Sequence, residues 1–157
     1  MTLTPDMQQR LAFLCRVVRK EAKHLQTTDT RLFAFEFTPA IAAQMEKDIE
    51  LAEQVEAFVG RFGRLQDSLG DKLLPALLTL LGEKPGVFVD NLDKAERFGF
   101  IQSGDEWLIM RQLRNQMVHE YIEDTTILVN ALNTGHQYVA RLIETAERMV
   151  AEIERRL

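Results

Sequence analysis

One cysteine, three histidines and no long apolar run are all that this 157-residue chain offers to disulfide, metal or membrane chemistry. A lone cysteine cannot form an internal disulfide framework, and Cys15 sits among apolar residues as a small core side chain would. No stretch approaches the roughly 18 apolar residues that cross a bilayer. Arg10, Arg16 and Arg19 interrupt the first apolar residues, so the layout of a signal peptide is missing and the cytoplasm is the expected compartment. The histidines are scattered, with no cysteine pair and no His-Glu-x-x-His run, so no metal and no cofactor is expected. A Walker-type loop and a Gly-x-Gly-x-x-Gly run are both missing, and nothing sets a histidine beside Ser68 or Ser103.

Positive charge is also in short supply. Nineteen Lys and Arg stand against 24 Asp and Glu, a formal net charge of -5. That argues against a protein that coats nucleic acid through a broad basic surface. It leaves room for a local positive cleft, and an acidic body also suits a basic protein partner. What remains is ordinary for a globular chain, with 46% hydrophobic and 27% charged residues. The length suits one domain, residues 1–157, large enough to bury a core.

Almost every segment reads as helix, and no strand pattern, repeat or linker stands out. Thr4-Pro5 and Thr38-Pro39 each offer a threonine cap followed by proline at the first helical position. The first helix is expected from Pro5 to Leu25, with a loop in Gln26 to Phe37, where Thr27, Thr28, Asp29 and Thr30 cluster. A second apolar series runs from Ile41 to Leu69, crossed by Gly60, Gly63 and Gly70, and Pro75 should kink or restart it. Gly82 to Gly86 is a break. A short helix should follow over Val89 to Phe98, ended by Gly99. Ser103 with Glu106 has the spacing of a capping box and opens a helix from Asp105 to about His119. Asp124 or Thr125 caps the last helix, whose apolar residues recur from Leu128 to Ile153 at steps of four and three. The expected fold is an all-α antiparallel bundle of about five helices.

The chemistry concentrates in Arg114-Asn115-Gln116-Met117-Val118-His119-Glu120-Tyr121. Arginine and histidine together can cut a phosphodiester without a metal. A guanidinium grips phosphate oxygens in a fork, and an imidazole moves a proton near neutral pH. Arg19 and His24 repeat the spacing inside the first helix, but there the arginine only borders the apolar stripe. Arg114 instead interrupts a stripe of Trp107, Met110, Val118 and Tyr121, so it needs a partner or a solvated cleft. His119 is about 140° round the helix from Arg114. The two side chains meet only if the helix ends near Val118 to Tyr121, or if a second copy brings its own pair.

Other polar residues are candidates for support. Asp67, beside Gln66, could face the motif and pair with Arg114 or Arg111. Arg111 could widen a phosphate site or pair with Glu106 or Asp105. Asn115 is suited to orienting its neighbours rather than reacting. Glu36 and Asp71 read as surface or ion-pairing residues. The plainest account of Arg114 and His119 is a structural ion pair and a histidine favoured at a helix end.

Arg114, four residues, His119, one residue and Tyr121 resemble the signature of the HEPN superfamily, in particular its HepT-like branch, and Asn115 after the arginine is typical of that branch. The specific likeness covers about eight residues, while the helical architecture covers most of the chain. The resemblance implies a small HEPN-like bundle that dimerises through its motif helices. It implies a metal-independent endoribonuclease serving as a toxin, with Arg114 and His119 catalytic and RNA as substrate. It also implies a minimal nucleotidyltransferase as antitoxin, which attaches AMP to Tyr121. The alternative is a non-catalytic subunit that binds nucleotide or substrate for a nucleotidyltransferase. A blander one is a helical homodimer whose motif only builds the interface.

Overall fold

The computed structural model describes residues 3–157, apart from the side chains of Tyr121 and Ile122. The described chain is all-helical, with no strand. Helix α1 spans Pro5–Leu32 and starts where Thr4 accepts a hydrogen bond from the Met7 amide at 3.2 Å. Thr38 does the same for the short helix α2, Pro39–Ala43, which passes into a 3₁₀ turn over Gln44–Glu46. Asp48 caps α3, Ile49–Asp67, which runs unbroken through Gly60 and Gly63. The same rod widens into a π turn over Ser68–Leu73 and tightens again into α4, Leu74–Leu80. Helix α5, Phe88–Phe98, ends on Gly99, whose φ of 81° is the left-handed value that glycine adopts without strain.

Two long helices complete the chain. Helix α6 covers Gly104–Glu123, and α7 covers Thr125–Arg156. Ser103 caps α6 by accepting from the Glu106 amide, but only half of the expected capping box forms. Glu106 turns to Arg141 of α7, and Glu96 of α5 takes the Gly104 amide at 2.7 Å.

Cross-helix pairs fix the directions. Glu21 meets Ser68 while Thr28 meets Arg61, so α1 and α3 are antiparallel. Arg19 meets Glu154 while Asp29 meets His136, so α1 and α7 are antiparallel as well. Asp71 with Arg111 and Asp67 with Arg114 give the same sense for α3 and α6. Glu106 with Arg141, and Met117 against Gly135, give it for α6 and α7. The four long helices thus close a ring in the order α1, α3, α6, α7. Phe58, Phe62, Leu65, Leu69, Trp107, Met117, Leu132 and Leu142 fill its centre, with the Phe58 and Phe62 rings stacked at 5.6 Å. No helix among the described residues is long and apolar enough to cross a membrane.

Two expectations change. Helix α1 does not stop at Leu25 but continues for two more turns to Leu32. The residues that read as a loop are each given a partner. Thr27 bonds back to the Lys23 carbonyl at 3.0 Å, Thr28 accepts from Arg61, and Asp29 reaches His136. Helix α6 does not end at His119 either. It runs on to Glu123, and Asp124 then caps α7 by accepting from the amides of Thr126 and Ile127.

Candidate functional site on α6

Arg114 is seated on α3 by two residues one turn apart. At Gly63 a Cβ would stand 3.0 Å from Arg114 Nε and 3.1 Å from its Cγ, so the missing side chain lets Arg114 pass close to α3. At the end of the path Nη1 and Nη2 donate to the two carboxylate oxygens of Asp67, at 2.7 and 2.9 Å. This is the planar fork that arginine makes with a carboxylate. The Arg114 side chain keeps 29% of its exposure and Asp67 36%, so the pair lies at a wet edge between α3 and α6. The apolar stripe is therefore interrupted by a charge that has its partner.

A second, looser pair lies one turn away. Arg111 donates to Asp71 at 3.4 Å, not to Glu106 or Asp105. Its guanidinium also lies over the Phe88 ring, 4.1 Å from the centroid, where the negative face of the ring favours a cation. Gly70 makes room for that ring, since a Cβ there would stand 2.9 Å from Phe88 Cε1. Gln66, buried between the pairs and the core, donates to the Met110 carbonyl at 3.2 Å. Gln66 and Asp67 thus both face α6.

The other motif residues lie elsewhere on the helix. His119 and Asn115 are exposed, on a stripe shared with Leu108 and Gln112. The buried face runs through Trp107, Met110, Leu113 and Met117. Val118, expected on that face, is 57% exposed. The Tyr121 side chain lies outside the described residues. Because α6 stays helical through Glu123, Arg114 and His119 of one chain diverge by about 140°. A helix end does not bring them together. The exposed side of α6 also carries Leu108 and Ile109, so the helix presents apolar side chains to solvent as well as to the core.

Chemically, the region offers a fork of N–H donors already filled by a carboxylate and an imidazole open to solvent. Among the described residues, no three or more His, Cys, Asp and Glu side chains gather where they could hold a metal ion. The Arg19 and His24 pair does not assemble. Arg19 is bound to Glu154, and His24 is exposed, with its carbonyl accepting from Arg61 at 3.2 Å.

One polar pair escaped the sequence reading. Asp29, 6% exposed on α1, lies 2.7 Å from Nδ1 of His136 on α7, and His136 stacks on Phe33 with centroids 4.2 Å apart. Its only sequence signal was an aspartate in phase with the buried face of α1, four residues beyond Leu25.

Compared with protein-family models, curated proteins and solved structures, the chain gives no match.

Proposed function

We propose that the protein is a metal-independent endoribonuclease of the HEPN type, the toxin of a pair whose antitoxin is a minimal nucleotidyltransferase. The observation that carries the reading is the motif of Arg114, His119 and Tyr121 on α6, a helix with exposed apolar side chains beside an exposed histidine. A second copy packed on α6 would bury Leu108 and Ile109 and bring two motifs to one cleft. That is the arrangement the reading requires, since the 140° divergence prevents one chain from using both side chains on one phosphate.

In the proposed reaction, a neutral His119 takes the proton of a ribose 2′-hydroxyl. The 2′-oxygen attacks phosphorus, and the 5′-oxygen leaves with a proton supplied by the protonated His119 of the second copy. Arg114 holds the phosphate and stabilises the charge that grows on its oxygens. The products are a 2′,3′-cyclic phosphate and a 5′-hydroxyl, with no metal or other cofactor taking part. AMP on Tyr121 would add bulk and negative charge where phosphate must bind. RNA and the antitoxin would be met in the cytoplasm.

The test is induction of the chain in a bacterial host beside its His119→Ala and Arg114→Ala variants, with total RNA examined. Growth arrest and RNA breakage are expected from the parent alone, and cleavage by the purified protein should survive chelation of metals. Wild-type toxicity in both variants overturns the reading. A second reading is a non-catalytic subunit that binds nucleotide or substrate for a nucleotidyltransferase. The net charge of -5 and the hold of Asp67 on Arg114 favour it. It predicts normal growth and intact RNA with all three forms.

A further inference from the structure

We infer that Asp67 is a built-in occupant of the phosphate fork, so that Arg114 is masked until an RNA phosphate displaces the carboxylate. The inference rests on the reading of α6 as an RNA-binding helix.

The geometry is that of substitution. A guanidinium grips a phosphate with two parallel N–H bonds, and it grips a carboxylate in the same way. Asp67 takes one bond from each terminal nitrogen of Arg114. The Nε side of Arg114 also passes close to α3 at Gly63, where an added Cβ would stand 3.0 Å from Nε. The end of the fork that would grip a phosphate is thus already filled by a carboxylate. The pair is nevertheless partly exposed, so an incoming phosphate can reach it.

The next rung repeats the logic. Arg111 is balanced by Asp71, so two arginines and two aspartates cancel along the α3 to α6 seam. In a chain of net charge -5, this leaves the motif with little pull on RNA from a distance. A structural ion pair predicts that losing Asp67 weakens the site. A mask predicts that losing Asp67 uncovers it.

The experiment measures binding of a short 2′-O-methyl oligouridylate, which cannot be cut by attack of its own 2′-oxygen. The parent, Asp67→Asn, Arg114→Ala and the double variant are compared over a range of salt. Asparagine keeps the shape of aspartate and can still accept from Arg114, and circular dichroism checks that each variant is folded. Asp67→Asn should bind about tenfold more tightly at low salt, as one new charged hydrogen-bond pair allows. Its log–log salt dependence should steepen by about 0.7, the value for one additional phosphate contact on a single strand. Both gains should vanish in the double variant.

Binding by Asp67→Asn no tighter than by the parent overturns the mask. So does a gain that persists without Arg114, which would reflect only the loss of a negative charge. Cleavage of an ordinary oligouridylate by the parent, with no gain in Asp67→Asn, overturns the mask and leaves the ribonuclease standing. An Arg114-dependent gain with no cleavage by any form keeps the mask and overturns the ribonuclease.

Discussion

Asp29 of α1 and His136 of α7 join the two longest helices through a contact of 2.7 Å, with the carboxylate buried and the imidazole half exposed. Burial pushes the Asp29 carboxyl above its ordinary value of 3.8, while the hydrogen bond and charge of His136 pull against that rise. A carboxyl raised by folding holds its proton more tightly in the native state than in the unfolded chain. Its favourable contribution is complete below the unfolded value and is lost as pH rises through the native one. Relative to Asp29→Asn, which does not titrate, the parent should therefore gain stability as pH falls from neutral towards 4. Urea denaturation of both proteins at several pH values checks this. Parallel stability curves would remove Asp29 as the source.

Met117 fits into α7 at Gly135. A Cβ at Gly135 would stand 2.4 Å from Met117 Cε, with the Phe58 and Phe62 rings 3.7 Å away. Alanine favours a helix over glycine by about 1 kcal/mol. Overpacking a filled core costs about 1–3 kcal/mol, and Met117, whose methyl would have to move, is fully buried. Gly135→Ala should therefore destabilise by about 1 kcal/mol net, the difference between the two effects. Combining it with Met117→Leu, which lacks the clashing methyl, should recover more than the two separate changes predict. Simple additivity in a double-mutant cycle would show that the two residues do not share this space.

The turn between α6 and α7 depends on one residue. Asp124 follows the last residue of α6, and its Oδ1 accepts from the amides of Thr126 at 3.0 Å and Ile127 at 3.1 Å. Asp124→Ala should cost about 1 kcal/mol and Asp124→Gly only a few tenths, as at other helix N-termini. Thermal melts rank the two variants against the parent, and no loss in either would mean that the side-chain cap contributes nothing here.

Local signals were legible where the chemistry was local. Thr4, Thr38 and Ser103 cap the helices they seemed to cap, and Gly99 ends α5 as its left-handed backbone allows. The last two turns of α1 were not legible. Their threonines and aspartate look like loop residues until Arg61 and His136 arrive, from 33 and 107 residues further along the chain. The seat of Arg114 was legible in part. An arginine on an apolar stripe demanded a partner and Asp67 was in view, but the role of Gly63 depends on the spacing of two helices, which no local pattern records. The end of α6 was legible only to within a turn, because Asp124 or Thr125 as the next cap places an ending nearby without fixing the last residue. The helix runs all the way to the cap at Asp124, and His119 faces solvent.

The π turn over Ser68–Leu73 ties two features of the chain to each other. Pro75 has no N–H to donate, and in an unbroken α-helix its ring would strike the carbonyl four residues earlier. The widened turn just before it absorbs that conflict and takes up one extra residue. Removing a residue from this segment would restore regular winding and drive the proline into the clash it now avoids. Replacing Pro75 alone would leave a surplus residue with nothing to justify it. In any lineage that carries this rod, a one-residue deletion there and the loss of the proline should be inherited as a pair.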